Sequence, residues 1–137
     1  MEITMESKKE DLREPVSNED FIEMICRVCR DFRMLLVGLE IEKDDFVVAF
    51  RDLNPQAPEH ILIVPKKHVE KIIDFTEEDK NLAAHIFVDV VPKISKKIGV
   101  DEKGFRLVIN TGDDGGQTVP HLHVHLLGGR KMTWPPG

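Results

Sequence analysis

Residues 121–127 read His-Leu-His-Val-His-Leu-Leu and place a histidine at every second position. Alternate side chains of a β-strand leave the same face of the sheet. A strand here would therefore carry His121, His123 and His125 on one face and apolar side chains on the other. We predict a strand over Val119–Leu127 with one face in the core and the imidazole face in a functional site.

Three imidazoles on one face suit three kinds of chemistry: metal ligation, proton relay by a general acid and base, and nucleophilic attack on phosphorus. The residues just upstream, 110–118, read Asn-Thr-Gly-Asp-Asp-Gly-Gly-Gln-Thr. Glycines permit close approach of the backbone, and amide N–H groups, an Asn and a hydroxyl can surround a phosphate. The same residue types also form ordinary hairpin turns, so both interpretations stay open at this point.

Length and composition limit the class of protein. A chain of 137 residues, 41% hydrophobic and 32% charged, predicts one globular domain. Its net charge of -6 argues against broad nucleic-acid binding and favours a small ligand. No apolar run approaches the roughly 20 residues of a membrane span, and the first residues lack a basic region followed by an apolar one. We expect no membrane partner and a cytoplasmic location.

Patterning along the chain predicts an α+β domain. Residues 1–16 are charged and aperiodic, so we expect a flexible N-terminal arm, with the domain over residues 17–137. A capping-box pattern at Ser17 predicts a short N-terminal helix. Stretches rich in branched and aromatic residues predict five strands, at Met34–Ile41, Phe46–Phe50, Ile61–Val64, Phe105–Ile109 and Val119–Leu127.

One long helix is predicted between the third and fourth strands. Thr76 and the three acidic residues after it form an N-terminal signal, apolar residues then recur every four positions, and Gly99 closes the helix. Pro92 removes one backbone hydrogen bond, so we expect a kink within one helix. The helix and strands together predict a meandering antiparallel sheet with the helix packed across one face.

Two cysteines fall in the predicted N-terminal helix, at Cys26 and Cys29. They are too few for a disulfide framework, which favours a reducing compartment. A Cys-x-x-Cys pair is either a metal-binding knuckle or a redox pair. The residues alone leave that choice open.

Four motifs in order resemble one family. Residues 50–60 read Phe-Arg-Asp-Leu-Asn-Pro-Gln-Ala-Pro-Glu-His, residues 63–68 read Ile-Val-Pro-Lys-Lys-His, and residues 116–127 read Gly-Gln-Thr-Val-Pro-His-Leu-His-Val-His-Leu-Leu. Residues 128–137 follow as Gly-Gly-Arg-Lys-Met-Thr-Trp-Pro-Pro-Gly. Together they resemble the histidine triad (HIT) superfamily and, within it, the Hint branch of purine nucleoside phosphoramidases. The resemblance extends over residues 26–137.

The resemblance implies an enzyme that hydrolyses a purine nucleoside 5′-phosphoramidate to the nucleoside monophosphate, such as AMP, and an amine. His123 matches the nucleophile, His125 matches the histidine that hydrogen-bonds the phosphoryl oxygens, and His121 completes the catalytic triad. The other implied nucleotide-binding residues are Phe50 and Leu53 at the base, Asp52 at the ribose, and Asn110, Gly116, Gln117 and Thr118 at the phosphate. The resemblance also implies a homodimer whose two sheets join into a ten-stranded one.

Attack by His123 requires one unprotonated ring nitrogen. The other ring nitrogen should then donate a hydrogen bond to an acceptor that fixes the tautomer. The sequence does not identify that acceptor.

A structural zinc ion is the one cofactor that the resemblance implies. Bacterial-type relatives hold zinc on a Cys-x-x-Cys pair, the histidine of a Pro-Lys-x-His run and the first histidine of the triad. The matching residues are Cys26, Cys29, His68 and His121. Other relatives lack the cysteines and bind no metal, so buried free thiols are the alternative.

Two other functions are compatible with the motifs. A dinucleoside polyphosphate hydrolase, as in the Fhit branch, would use the same nucleophile on a different leaving group. The ending over residues 134–137 favours the Hint branch, where the partner's C-terminus approaches the site. A non-catalytic nucleotide-binding, zinc-stabilised interaction module would use the triad only to hold phosphate. His60 matches a family histidine near the site, but a lone strand histidine is more often a satisfied core residue, and His85 needs no functional explanation.

Overall fold

The computed structural model describes residues 40–137, and its centre is a five-stranded antiparallel sheet. The strands are β1 (Glu40–Lys43), β2 (Val47–Arg51), β3 (Glu59–Pro65), β4 (Phe105–Val108) and β5 (Val124–Gly128). The predicted N-terminal arm, the short helix and both cysteines lie outside the described residues. The predicted α+β class is confirmed for the part of the chain that is described.

The order of the strands is β1-β2-β3-β5-β4, so the sheet differs from the simple meander that the sequence predicts. The long connection between β3 and β4 leaves room for β5, which pairs with both of them. In β5 the residues Val124 and Leu126 are buried, whereas all four residues of β4 are half-buried. The strand with the histidine motif is therefore central, and β4 forms an edge.

The register of the sheet separates a core face from a site face. Buried side chains of β2, β3 and β5 form the core face with the long helix, among them Ala49, Ile63 and Val124 in one row. The neighbouring row lies on the opposite face because side chains alternate. That row consists of Phe50, Leu62, His125 and Val108.

A continuous helical run, α1, covers the core face. It consists of a 3₁₀ turn at Glu77–Asp79, α-helix at Lys80–Ala84, a π-helical segment at His85–Val90 and α-helix at Val91–Lys97. The helix starts at the predicted N-terminal signal, where Thr76 and Asp79 form a capping box. Gly99 follows the helix with φ +76°, a conformation that suits glycine. None of the helical segments between residues 40 and 137 has the length and apolar run that a bilayer crossing needs.

The disturbance expected at Pro92 takes the form of the π-helical segment. Just before the proline, the Val91 N–H donates to the Ile86 carbonyl, five residues back. Pro92 has no N–H to continue the α-helical ladder, so the wider turn passes directly into the last α-helical segment. The run remains one helix, as predicted.

The structure also corrects strand boundaries. The third and fourth strands match their predicted positions within two residues, but β1 reaches Lys43 and β5 begins at Val124, five residues after the predicted Val119. The reason lies at Pro120, which has no N–H for the ladder. The next N–H, that of His121, donates to the Val119 carbonyl at 2.8 Å and so forms a tight turn.

His85 occupies a buried ion-pair network between α1 and the β1–β2 turn. The ring is 0% exposed, its Nδ1 lies 2.9 Å from Asp89 Oδ2, and its Nε2 lies 2.8 Å from Asp44 Oδ2. Ionised carboxylates only accept hydrogen bonds, so both ring nitrogens donate and the ring is an imidazolium. Asp44 also accepts the Phe46 and Val47 N–H groups, at 2.8 Å each. A residue to which the sequence gives no role thus joins two elements.

Replacing His85 with Phe should lower the free energy of unfolding by about 3 kcal/mol, because a buried ion pair that loses one partner leaves an uncompensated charge. The measurement is urea denaturation at pH 7. Asp89→Asn is the matched control: its side chain is 44% exposed, so the expected loss is below about 1 kcal/mol. Equally small losses in both variants would contradict this account of the network.

Candidate active site

The candidate active site lies on the site face, where β5 begins. His125 belongs to β5, His123 immediately precedes that strand, and His60 is near the start of β3. The rings of His123 and His125 lie 5.0 Å apart between centroids, at an interplanar angle of 67°. The ring of His60 lies 5.1 Å from that of His125. Sheet pairing therefore brings together three histidines, one of them from a distant part of the sequence.

The tautomer of His123 is fixed by a backbone carbonyl. Nδ1 of His123 lies 2.8 Å from the carbonyl oxygen of His121. Because a carbonyl only accepts, Nδ1 carries the proton and Nε2 of the neutral ring keeps its lone pair. This carbonyl is the acceptor that the sequence could not identify.

His125 has the opposite tautomer, and a chain of hydrogen bonds determines it. The Gln56 N–H donates to His60 Nδ1 at 3.0 Å, so the proton of the neutral His60 ring is on Nε2. That Nε2–H lies 2.9 Å from His125 Nδ1 and donates to it. His125 therefore carries its own proton on Nε2. His123 therefore offers a bare nitrogen, and His125 beside it offers an N–H.

Burial keeps the rings of His60 and His125 neutral. It lowers the pKa of His125 to about 4, and positive charge on His123 and His60 would lower it further, while Asp52 opposes the shift. Burial also lowers the pKa of His60, again against the effect of Asp52, whose Oδ2 lies 3.6 Å from His60 Nε2. Neutral rings at pH 7 agree with the tautomers that the hydrogen bonds assign.

The cluster of Asp52, His60 and His125 has the spacing of a metal site, since its ligand atoms all lie within 4.8 Å of one another. Its chemistry does not fit a metal. Coordination through His60 Nε2 would move the ring proton to Nδ1, which faces the Gln56 N–H. Two donors would then point at each other. The cluster is better described as a hydrogen-bond relay.

The loop upstream of the histidines forms a turn, which is one of the two interpretations that the sequence left open. Phosphate binding by this loop stays a prediction. The Gly116 and Gln117 N–H groups donate within the loop, as in a turn. The Gln117 side chain accepts from the Gly112 N–H at 3.1 Å and donates to the Glu70 and Val119 carbonyls, at 2.7 and 3.0 Å. It therefore maintains the shape of the loop.

Two loop side chains predicted at the phosphate are available to a ligand. Those of Asn110 and Thr118 form no hydrogen bond with any residue between 40 and 137. Thr118 is exposed and Asn110 is half-buried. Their roles, like that of Gly116, remain predictions.

The predicted ribose and base residues lie at the end of β2. Asp52 Oδ1 accepts the Asn54 N–H at 2.8 Å, and the side chain remains 20% exposed. Leu53 is 60% exposed, so it has free apolar surface. Phe50 is 1% exposed and lies in the same cross-strand row as His125. It contributes to the floor beneath the site rather than to its surface.

His121, the third histidine of the motif, points away from the other two toward β3. It is 1% exposed, and its Nε2 donates to the Pro65 carbonyl at 2.7 Å. Its Nδ1 lies 3.1 Å from Nδ1 of the exposed His68. Burial lowers the pKa of His121 to about 4, which the Pro65 hydrogen bond opposes. The prediction of three histidines on one strand face is therefore wrong for His121, because the backbone there is in a tight turn three residues before β5 begins.

Comparisons with known proteins point to one family. A model of the HIT domain matches residues 38–132. The chain is 50% identical over 97 residues to an uncharacterized HIT-like protein of Synechococcus elongatus, and the match covers 71% of this chain and 83% of that protein.

Solved structures give the same result. A HIT family hydrolase from Legionella pneumophila is similar with a TM-score of 0.70 and 48% identity, over 72% of this chain and 88% of that one. A histidine triad protein from Clostridium difficile is similar with a TM-score of 0.66 and 49% identity, over 69% and 82%. A histidine triad nucleotide-binding protein from Candida albicans is similar at 26% identity with a TM-score of 0.62, over 82% of each chain.

Acidification should destabilise the fold between pH 6.5 and about 4. The unfolded His125 takes up a proton below its ordinary pKa of 6.5, whereas the folded one does so only near 4. The unfolded state therefore binds more protons in this window, and the free energy of unfolding falls as the pH falls. His125→Asn should reduce that slope by up to about 1.4 kcal/mol per pH unit, measured by urea denaturation across the window. An unchanged slope would show that His125 does not titrate as described.

Proposed function

The chain belongs to the histidine triad (HIT) family, and we propose that it hydrolyses purine nucleoside 5′-phosphoramidates through a nucleotidyl-histidine intermediate on His123. The observation that carries this proposal is the pair of opposite tautomers on His123 and His125. A bare nitrogen is a nucleophile, and an N–H beside it can bind the phosphoryl oxygen that gains charge. This division of roles is what transfer of a nucleotidyl group requires.

In the first step, His123 Nε2 forms a bond to the α-phosphorus as the bond from phosphorus to the amine nitrogen breaks. The amine nitrogen takes up one proton as it leaves. The attacking ring becomes positively charged, and its Nδ1–H stays bonded to the His121 carbonyl at 2.8 Å. That charge strengthens the hydrogen bond at the moment when the intermediate forms.

In the second step, water attacks the same phosphorus and the bond to His123 Nε2 breaks. The nucleoside monophosphate leaves, and the proton that water loses balances the one taken up by the amine. The ring returns to its starting tautomer because the His121 carbonyl holds Nδ1–H throughout. The sum of the two steps is one water added across the P–N bond.

The nucleotide is proposed to lie along the end of β2 and the upstream loop. Asp52 faces the site with a partly exposed carboxylate, which suits the two hydroxyls of a ribose. Leu53 offers exposed apolar surface for the base. Asn110 and Thr118 contribute side chains free to meet phosphate oxygens.

A homodimer is proposed through the edge of the sheet at β4. That strand has four half-buried residues and no proline, whereas the other edge, β1, has a register shift between Glu40 and Glu42. A regular edge accepts a second strand more readily than a bulged one. Two five-stranded sheets joined there would form a ten-stranded one. On the same strand, Arg106 donates to the Thr133 carbonyl at 2.9 Å and so holds the C-terminal segment beside the proposed dimer edge.

A structural zinc ion is proposed on Cys26, Cys29, His68 and His121. The two cysteines lie outside the described residues, but the histidine pair fits. Two nitrogens on a tetrahedral zinc, each about 2.05 Å from the metal, lie about 3.3 Å apart. The two Nδ1 atoms are 3.1 Å apart, and His121 Nε2 donates to a carbonyl, as ligating histidines usually do. Four protein ligands leave no open position, so the ion would stabilise the fold.

Steady-state release of AMP from adenosine 5′-phosphoramidate tests the proposed activity. We expect turnover by the native chain and a loss of at least about 10³-fold in kcat for His123→Ala, because among residues 40–137 the proposed nucleophile is His123 Nε2 and alanine has no nitrogen to replace it. Lys96→Ala, an exposed change on α1 at the opposite face of the sheet, is the control and should keep full activity.

Diadenosine polyphosphate, tested in parallel, separates the alternatives. Cleavage of the polyphosphate instead of the phosphoramidate would assign the chain to a different branch of the family. Full nucleotide affinity with no turnover of either substrate would make it a binding module.

Metal content tests the zinc site. The chain purified from zinc-supplemented medium should hold about one zinc ion per protomer, and the double variant Cys26→Ser, Cys29→Ser should hold almost none, since hydroxyl groups are poor zinc ligands. Elemental analysis by mass spectrometry gives the stoichiometry. A native chain without zinc, or a double variant that keeps it, would contradict the assignment.

A further inference from the structure

The segment over residues 65–70 is tied to the loop that precedes β5 by three hydrogen bonds. The Pro65 carbonyl accepts from His121 Nε2, the Val69 carbonyl accepts from the Leu122 N–H, and the Glu70 carbonyl accepts from Gln117 Nε2. Each of the three distances is 2.7 Å. This segment, which follows directly from β3, therefore determines where the chain enters the active site.

One of these bonds determines the orientation of the peptide group between His121 and Leu122. A trans peptide group is planar, and its C=O and N–H point in opposite directions. The Leu122 N–H points at the Val69 carbonyl. The His121 C=O of the same group must then point the other way, where it accepts the proton of His123 Nδ1 at 2.8 Å. The group that fixes the nucleophile is thus itself held from the segment.

The side chain of His121 is also bonded to the segment, which restrains the residue that carries this carbonyl. Its ring is buried, and Nε2–H is committed to the Pro65 carbonyl. Nδ1 then meets Nδ1 of His68 at 3.1 Å, with 5.1 Å between the ring centroids. Two ring nitrogens at this distance need a proton or a metal ion between them. His68 therefore completes the hold on His121.

We propose that His68 is a positioning residue for the nucleophile: linked to the His121 ring by a shared proton or by zinc, it fixes the backbone carbonyl that sets the tautomer of His123. This inference rests on the proposed function of His123. His68 touches no reacting atom, and its effect passes through His121. Without His68, the His121 ring keeps only its hydrogen bond to the Pro65 carbonyl. The backbone at His121 is then less constrained, and its carbonyl can turn away from His123 Nδ1–H.

Three substitutions at position 68 test the link in the full chain. His68→Ala removes it. His68→Asn keeps a hydrogen-bond donor close to the place of Nδ1, and His68→Cys keeps a zinc ligand. Glu70→Ala, an exposed change in the same segment that leaves the Glu70 carbonyl in place, is the control. Zinc content and thermal unfolding are recorded for each protein.

Two readouts are compared. Long-range ¹H–¹⁵N NMR correlations of the His123 ring report which nitrogen carries the proton, and steady-state kinetics on the phosphoramidate separate kcat from KM. We expect His68→Ala to give a mixture of tautomers and a kcat about 10- to 100-fold lower, with KM changed less than about twofold. At least one of the Asn and Cys variants should restore a single Nδ1–H tautomer and most of kcat.

An Ala variant with the native tautomer and native kcat would overturn the inference, and so would equal losses in all three variants at position 68. The NMR readout does not depend on turnover. If the native chain failed to hydrolyse phosphoramidates, the proposed function would fail, while the ring spectra would still decide whether His68 positions His123.

Discussion

The hydrogen bond from His123 Nδ1–H to the His121 carbonyl is the interaction on which the rest of the site depends. A neutral imidazole carries one proton, and either nitrogen can hold it. Only the tautomer with a bare Nε2 can attack a phosphorus placed over the site face. A backbone carbonyl selects that tautomer at any pH at which the protein is folded, because the carbonyl is fixed by the fold and does not titrate.

The tautomer of His125, the second ring of the site, is also determined by a main-chain group. A backbone N–H, that of Gln56, chooses the tautomer of His60, and His60 passes the choice to His125. Both assignments therefore begin at main-chain groups, and burial keeps His60 and His125 neutral at physiological pH. The donor and the nucleophile are arranged before a ligand arrives, which is the condition for effective stabilisation of charge in the transition state.

The pattern of residues predicted the elements better than the contacts. Alternation correctly placed Val124 and Leu126 in the core opposite His125, and the capping signal at Thr76 correctly marked the start of the long helix. Alternation failed for His121, because Pro120 and the tight turn from Val119 to His121 come before the strand. Pairings between distant segments have no local signal, so the pattern of residues connected neither His60 with His125, 65 residues away, nor His85 with Asp44. Only the resemblance placed His60 near the site. The roles that the resemblance implies for the site residues rest on their positions in the motifs. The fold does not test these roles, and experiments must do so.

The most direct test of the account is to trap the intermediate. The native chain is mixed with adenosine 5′-phosphoramidate, quenched in alkali, which preserves a phosphorus–imidazole bond, and digested for peptide mass spectrometry. The account predicts an adenylyl group on His123, formed at least as fast as AMP is released. Release of AMP with no adduct, or an adduct on His125 or His121, would contradict it.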